Sequence, residues 1–442
     1  MLIRFRVSNF LSFKEEVEFS MIPGRTKQHL NHIVSGGSGR NDVDLLRAGI
    51  IYGANASGKS NLIKAISFAK RFVKKGVSPR KPIPVIPFKL NKTTKEQPSR
   101  FEFEIRIDNK DYLYGFEADS ERVFSEWLHQ IKKITTSPIF ERTTDVENNT
   151  IVKFFGIKYT NKKDAKKLVL FGEGTRPNRL FLTESIDRNL KYFENIYDWF
   201  DNLVIIFPHT RSRVPFDIQS EMTNSMVKYL SNVGTGVSGF DFLEISPESE
   251  LPKGLVDDVT KDLKFGEQKA VLVEGQKAQR YIFSKDSNEK VTVSKLVLKH
   301  KMSDCDEEAA FDTDEESDGT NRLMDVLPIL DMSLSNPRVF LIDELDRSLH
   351  PNLCYKLIQD FLTNSSQSQL IVTTHESNLL TFDLLRRDEI WFVEKNQQGA
   401  SVAYSLEEFT PRYDNDVQKG YLLGRFGAIP FIGRKHFNSR GK

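Results

Sequence analysis

Residues 53–60 read Gly-Ala-Asn-Ala-Ser-Gly-Lys-Ser and fit GxxxxGK[ST] in full. The pattern constrains the fold because it works only where a strand delivers the chain into the loop and a helix leaves it. Both are legible. Ala48-Gly-Ile-Ile-Tyr52 is a short apolar strand, and from Lys59 to about Lys74 the residues Leu62, Ile63, Ile66 and Phe72 recur on one helical face. Gly53 and Gly58 let backbone N–H groups close around a β-phosphate, assisted by the positive end of the helix. Asn55, Ser57 and Asn61 complete the expected nucleotide cradle. Lys59 is expected to reach the β- and γ-phosphates, and Ser60 to hold Mg²⁺. Taken alone, the same pattern also suits a glycine-rich turn that binds nothing.

A second motif lies far downstream. Arg338-Val-Phe-Leu-Ile-Asp-Glu344 is an apolar strand ending in two acids. Asp343 would hold the Mg²⁺ shell, and Glu344 would orient or deprotonate the attacking water. A strand ending in Asp-Glu is also common at a sheet edge. Ile371-Val-Thr-Thr-His375 is a further strand ending in histidine. A lone histidine there is ordinarily structural, but after these two motifs it reads as a γ-phosphate contact. Ser317-Asp-Gly-Thr320 precedes a helical pattern from Thr320 to Ser333. Ser317 can cap that helix, and Gly319 allows close approach of backbone to a phosphate.

Together these four pieces, with Leu345-Asp-Arg-Ser-Leu-His-Pro351, resemble the head of an ABC-type ATPase in the RecF, SMC and OLD branch. The opening Ile3-Arg-Phe-Arg-Val-Ser-Asn-Phe-Leu-Ser-Phe-Lys-Glu15 resembles that branch's first strand. The stand-alone RloA/AbiL-like prokaryotic ATPases are the nearest resemblance, shared by Gly427-Ala-Ile-Pro-Phe-Ile432. It implies an α/β P-loop NTPase of ABC-ATPase type, with an N-terminal antiparallel β subdomain and a mixed α+β insertion between the two halves of the head. By it, Ser317 and Gly319 form the signature motif, Asp346 the D-loop and His375 the switch histidine, with ATP and Mg²⁺ as cofactors. Glu344, His375 and Lys59 become the catalytic set, and Ser60 and Asp343 the metal ligands. Two subunits would sandwich two ATP molecules in composite sites. A nuclease-like effector encoded separately, in anti-phage defence, is the implied partner. Asp318 and Thr320 stand where transporter-type signatures have Gly and Gln. No Q-loop is evident, since Gln97 lies in a polar, Pro-flanked turn.

The division expected is 1–120 for the P-loop lobe, 121–300 for the insertion, and 301–442 for the signature, the Asp-Glu strand and the switch histidine. The motifs at 53–60 and 338–344 must meet around one Mg²⁺ if both serve one nucleotide. Strands are expected at Phe101 to Ile107, Tyr112 to Glu117, Val123 to Ile134, Ala270 to Val273, Tyr281 to Ser284 and Val291 to His300. A helix is expected over Leu190 to Leu203. No sustained heptads occur in the insertion, which argues against long coiled-coil arms.

Lys and Arg number 63 and Asp and Glu 61, so the chain is neither basic nor acidic throughout. The charge is segregated, however. Lys64 to Lys95 holds ten basic residues and no acid, and Asp304 to Asp318 holds nine acids and no base. Solvated surface is one reading of such runs. DNA contact through the basic run, including Lys74 and Lys75, and through Arg434, Lys435, Arg440 and Lys442, is the other. Cys305 and Cys354 form no metal or disulfide pattern, and no signal peptide or membrane span is read, so a cytoplasmic protein is expected. Leu272-Val-Glu-Gly275 and Asp304-Cys-Asp306 superficially resemble a nuclease Toprim site, but they precede the signature helix, whereas the usual fusion is C-terminal. A nucleotide-dependent scaffold with slow hydrolysis is a third reading.

Overall fold

The computed structural model describes residues 1–442 apart from 37–42, 133–134, 158–161, 209–212, 217–220, 247–250, 263–269, 275–278, 286–289, 410–415 and 431–442. The chain forms two compact units. One comprises Met1–Val204 and Gln369–Lys442, the other Ile205–Ser368.

The first unit begins with strands β1 (Leu2–Ser8) and β2 (Val17–Ser20), a short pair β3 (Ile33–Val34) and β4 (Leu45–Leu46), and β5 (Ala48–Tyr52). Helix α1 (Lys59–Lys75) follows, then β6 (Ser99–Ile107), β7 (Lys110–Ala118), β8 (Val123–Ile131), β9 (Thr136–Thr144) and β10 (Thr150–Phe154). The antiparallel sheet runs in the order β10-β9-β8-β7-β6-β1-β2. Its register is written in the sequence. Arg4 and Arg6 of β1 lie opposite Glu104 and Glu102 of β6, while Phe5 and Val7 lie opposite Phe103 and Phe101. One face therefore becomes an ion ladder, with Arg6 2.8 Å from Glu102 and 2.7 Å from Glu18. The other becomes core. A one-residue slip would put both arginines into that core, so the register is strongly specified.

Phe68 and Phe72 of α1 pack on this sheet, with ring centroids 5.0 Å from Phe101 and 5.5 Å from Phe116. Burying each such side chain is worth about 1.5–3 kcal/mol. The helix that leaves the phosphate loop is thus fixed along its whole length, and it stops at Gly76, whose N–H bonds the Phe72 carbonyl. The Asp108–Asn109 turn joins β6 to β7 with φ of 48° and 58°, the left-handed pair of a type I′ hairpin turn.

The strands β19 (Gln369–Thr373), β20 (Ile390–Lys395) and β21 (Ser401–Ser405) return to this unit. Both β19 and β20 run parallel to β5, one on each side, and β21 is antiparallel to β20. The Gln369 side chain is fully buried and bonds both Leu2 backbone groups, which locks the two sheets' strands together. Helices α2 (Lys162–Glu173), α3 (Phe181–Asp187) and α4 (Glu194–Trp199) cover the antiparallel sheet, and α9 (Val417–Leu422) is the last helix among the described residues. The helical stretch expected over Leu190 to Leu203 is present from 191 to 202, as the six-residue α4 continued by a 3₁₀ turn at each end. Phe193, Trp199 and Phe200 are all buried there, with ring centroids 5.2 Å from Phe140, 6.1 Å from Phe103 and 5.3 Å from Phe103 respectively. Strand β8 covers Val123–Ile131, and residues 133–134 of the expected strand lie outside the described residues.

Glu126 of β8 is buried beneath α3. It accepts the Phe181 and Leu182 N–H groups and the Tyr114 hydroxyl, beside the equally buried Arg142. Burial raises its carboxyl above the ordinary value of 4.5, against the pull of Arg142 and the two amides. A raised folded value means the protonated form favours the fold, an advantage lost as pH rises from 4.5 through the folded value. Glutamine mimics the protonated acid. The melting-temperature difference between Glu126→Gln and the unsubstituted protein should therefore move in favour of Gln as pH rises from 4.5 into the neutral range. Melting curves across that window check the sign.

In the second unit, β11 (Leu203–Ile206, which begins at the boundary) neighbours β18 (Val339–Ile342). A separate antiparallel sheet is built from β12 (Arg213–Phe216), β13 (Val237–Glu244), β14 (Ala270–Glu274), β15 (Arg280–Lys285) and β16 (Val291–Lys301), with β17 (Glu308–Asp312) on β16. The expected strands at 270, 281 and 291 are all there, and β12, β13 and β17 are additional. Helices α5 (Glu221–Asn232), α6 (Lys253–Asp262), α7 (Asp318–Ser335) and α8 (Pro351–Asn364) complete it. The fold is α/β as expected, with an N-terminal antiparallel sheet and, in the second unit, a further antiparallel sheet with its own helices. Among the described residues no helix is long and apolar enough to cross a membrane.

Candidate functional site

The phosphate loop forms where β5, buried on both faces, turns into α1. Gly58 has φ of +117°, and a Cβ there would lie 2.2 Å from the Ser401 hydroxyl and 2.8 Å from that of Ser12. Those hydroxyls stitch the loop from behind. Ser401 Oγ donates to the Ser57 carbonyl at 2.5 Å and lies 2.8 Å from Ser12 Oγ, whose hydroxyl can donate to it, and Asn61 Nδ2 donates to Ser12 Oγ at 2.8 Å. Asn61 is thus a brace for the loop. Asn55 is exposed at its tip, beside Ala56 with φ of +61°.

Lys59 is buried and its Nζ donates to the Gly53 and Ala54 carbonyls at 2.8 and 3.2 Å. The His375 Nε2 lies 3.1 Å from the same ammonium. The chain segments carrying these two residues are 316 positions apart, and the parallel pairing of β5 with β19 brings them together. The N-terminus of α1 has no side-chain cap and no acidic residue in its first turn. The Ser57 hydroxyl is buried without a protein partner among the described residues. A helix end of that polarity with an ammonium beside it suits a polyanion, and the donor set fits a triphosphate. Ser60, half-buried at the second helical position, is the hydroxyl available to a Mg²⁺.

The second unit holds the remaining predicted residues. All four residues of β18 are buried, and it delivers Asp343, 3% exposed, whose N–H bonds the Ile206 carbonyl at 2.9 Å. Glu344 follows with φ of +51° and Ser348 with +59°, so the turn carrying Glu344 and Asp346 is twice left-handed. Such positions cost about 1–3 kcal/mol each for ordinary residues and concentrate at functional sites. Ser317 caps α7, its Oγ accepting the Thr320 N–H at 3.0 Å. Gly319 sits under that cap, where a Cβ would meet the Ser348 carbonyl at 3.0 Å. Glycine here lets the Ser317–Thr320 turn approach the turn that follows Glu344.

Sequence reasoning missed Ser12, Ser401 and Arg322. Lone serines in loops carry no signal. Arg322 does carry one: with Val326, Ile329 and Ser333 it falls on a single buried face of α7, where a charge is out of place. The basic run needs a correction at Lys74. Its ammonium lies 2.8 Å from Asp201 and 3.3 Å from the centroid of the Tyr197 ring, so it is engaged within the protein. Lys64, Arg71 and Lys75 of the same helix are exposed. Gln97 remains in a turn, its carbonyl accepting from Asn9. Asp304 and Asp306 are exposed before β17, with no cluster of acids, histidines or cysteines fit for a metal among the described residues. The tail residues Arg434, Lys435, Arg440 and Lys442, and Phe431-Ile432, lie outside the described residues.

A family model described as "AAA domain, putative AbiEii toxin, Type IV TA system" matches residues 50–220 and 244–381. The chain belongs to this family. The match spans both the phosphate loop and the Asp343-Glu344 strand of this AAA-family protein, the two features built above. No curated protein matches the sequence. Among solved structures, the SmcHead bound to the C-winged helix domain of ScpA is 15% identical, with a TM-score of 0.35 over 92% of this chain and 99% of that one. The SMC head domain from Thermotoga maritima is 13% identical, with a TM-score of 0.34 and coverage of 91% and 98%. The Smc head domain with an extended coiled coil, bound to the C-terminal domain of ScpA derived from Pyrococcus furiosus, is 14% identical, with a TM-score of 0.33 and coverage of 92% and 97%.

Proposed function

We propose that this protein is an ATP-binding and ATP-hydrolysing ABC-type ATPase. It dimerises through composite nucleotide sites and gates or scaffolds a separately encoded effector, in prokaryotic anti-phage defence. The observation that carries the reading is the phosphate cradle: an uncapped helix N-terminus, a Gly58 that admits no side chain, and a buried Lys59 beside His375. In this reading the loop amides and Lys59 bind the β- and γ-phosphates, and His375 contacts the γ-phosphate. Ser60 and Asp343 would hold a Mg²⁺, which would supply neutralisation of the developing phosphate charge. Glu344 takes the proton from the attacking water. Ser317 and Gly319 present the α7 N-terminus to the γ-phosphate of a second copy. The family description names a toxin of a toxin–antitoxin system, a two-component arrangement, which suits a chain working with a separate partner.

Steady-state phosphate release and sedimentation, each with and without Mg-ATP, test this. Turnover lost in Lys59→Ala and a mass increase on adding ATP are expected. No ATP binding at all would sink the reading. Binding and assembly without turnover would convert the protein into a nucleotide-held scaffold.

A further inference from the structure

Arg322 lies five residues beyond the Ser317 cap, on α7, and is 5% exposed. A buried guanidinium on an apolar helical face needs a reason. Its Nη2 donates to the Asp343 carbonyl at 2.9 Å and to the Glu344 carbonyl at 2.8 Å. These are the two consecutive peptides that carry the chain into the left-handed conformation at Glu344. The other two guanidinium nitrogens, Nε and Nη1, have no acceptor among the described residues, so the side chain is held through this one nitrogen.

A second arginine reaches the same helix from the insertion. Arg280, at the start of β15, is 4% exposed. Its Nη1 lies 2.9 Å from Asp325, and its Nη2 donates to the Asn321 carbonyl at 2.8 Å. Asn321 and Asp325 flank Arg322 in sequence. Burial disfavours the Arg322 charge, and Asp325 is the chief influence that retains it.

We propose that Arg322 is the positioning residue of Glu344. Its guanidinium pins the strained turn that aims the carboxylate, and Arg280 with Asp325 ties this clamp to the antiparallel sheet of the insertion. The inference rests on the ATPase reading for its consequence, though the clamp itself is a matter of geometry. The insertion thereby gains a regulatory role, because a partner that shifts β15 would loosen or tighten the turn at Glu344 without touching nucleotide.

The test compares Arg322→Ala, Arg322→Lys and Arg280→Ala. Arg322→Ala should lower kcat about 100-fold, the scale of a misplaced general base, while ATP affinity changes less than about threefold. Amide hydrogen exchange without nucleotide should quicken over residues 339–349 and not throughout the unit. Lysine should recover much of both, since one ammonium can hold both carbonyls as Nη2 does. Arg280→Ala should shift both readouts in the same direction by less. If Arg322→Ala does not fold, Arg322→Gln takes its place against lysine. Wild-type kcat in Arg322→Ala, or exchange that quickens evenly across the unit, would overturn the proposal. Absence of turnover in the unsubstituted protein would sink the ATPase reading instead. The exchange measurement would then still decide whether the clamp exists.

Discussion

Glu344→Gln should lower ATP turnover about 1,000-fold, close to 4 kcal/mol of barrier, and leave ATP binding intact. The argument is geometric. Glutamine keeps the shape of the side chain and its place in the left-handed turn, where Arg322 holds the adjacent carbonyls. Only the base is lost. Asp343, buried and one residue earlier, is untouched, so the proposed Mg²⁺ ligand stays in place. The nucleotide-bound form should then accumulate, and sedimentation in Mg-ATP should find the variant assembled long after the unsubstituted protein has hydrolysed its ATP and separated. Turnover within about threefold of the unsubstituted rate would show that Glu344 does not activate the water.

Gly58→Ala is the second large effect. The new Cβ would enter the space of the Ser401 and Ser12 hydroxyls at a φ of +117°. Moving Ser401 aside also breaks its bonds to the Ser57 carbonyl and to Ser12 Oγ. Backbone strain of about 1–3 kcal/mol and roughly 1 kcal/mol per lost hydrogen bond add to several kcal/mol. A loss of ATP affinity of about 100-fold or more is expected, because each 1.4 kcal/mol is tenfold. Gly254→Ala is the control. It lies in α6 with open space around the position, and alanine there should be neutral or stabilising by about 0.5–1 kcal/mol. Isothermal titration with a non-hydrolysable ATP analogue and melting curves for both variants read these effects. If Gly58→Ala binds as tightly as the control, the loop is not the nucleotide site.

Much of this was legible from residue order because the forces involved are local or periodic. The alternation in Leu2 to Val7 and in Phe101 to Ile107 marks both as strands, and the structure pairs them with arginines opposite glutamates. Ser317 could be read as a helix cap because capping joins residues three apart. Lys74 looked like free positive charge because Asp201 and Tyr197 lie more than a hundred positions away.

The sequence by itself determined the candidate residues: a lysine and glycines at the spacing of a phosphate-binding loop, and an apolar strand ending in Asp343 and Glu344. Those features depend on short-range geometry, which a string of residues encodes. Tertiary structure alone decided what supports them. Ser401 and Ser12 behind the loop, His375 against Lys59, and Arg322 under the turn of Glu344 each act across a long stretch of chain. Hydrogen bonds between such distant residues leave no spacing to read, because only the folded sheets bring the partners within 3 Å or so of each other.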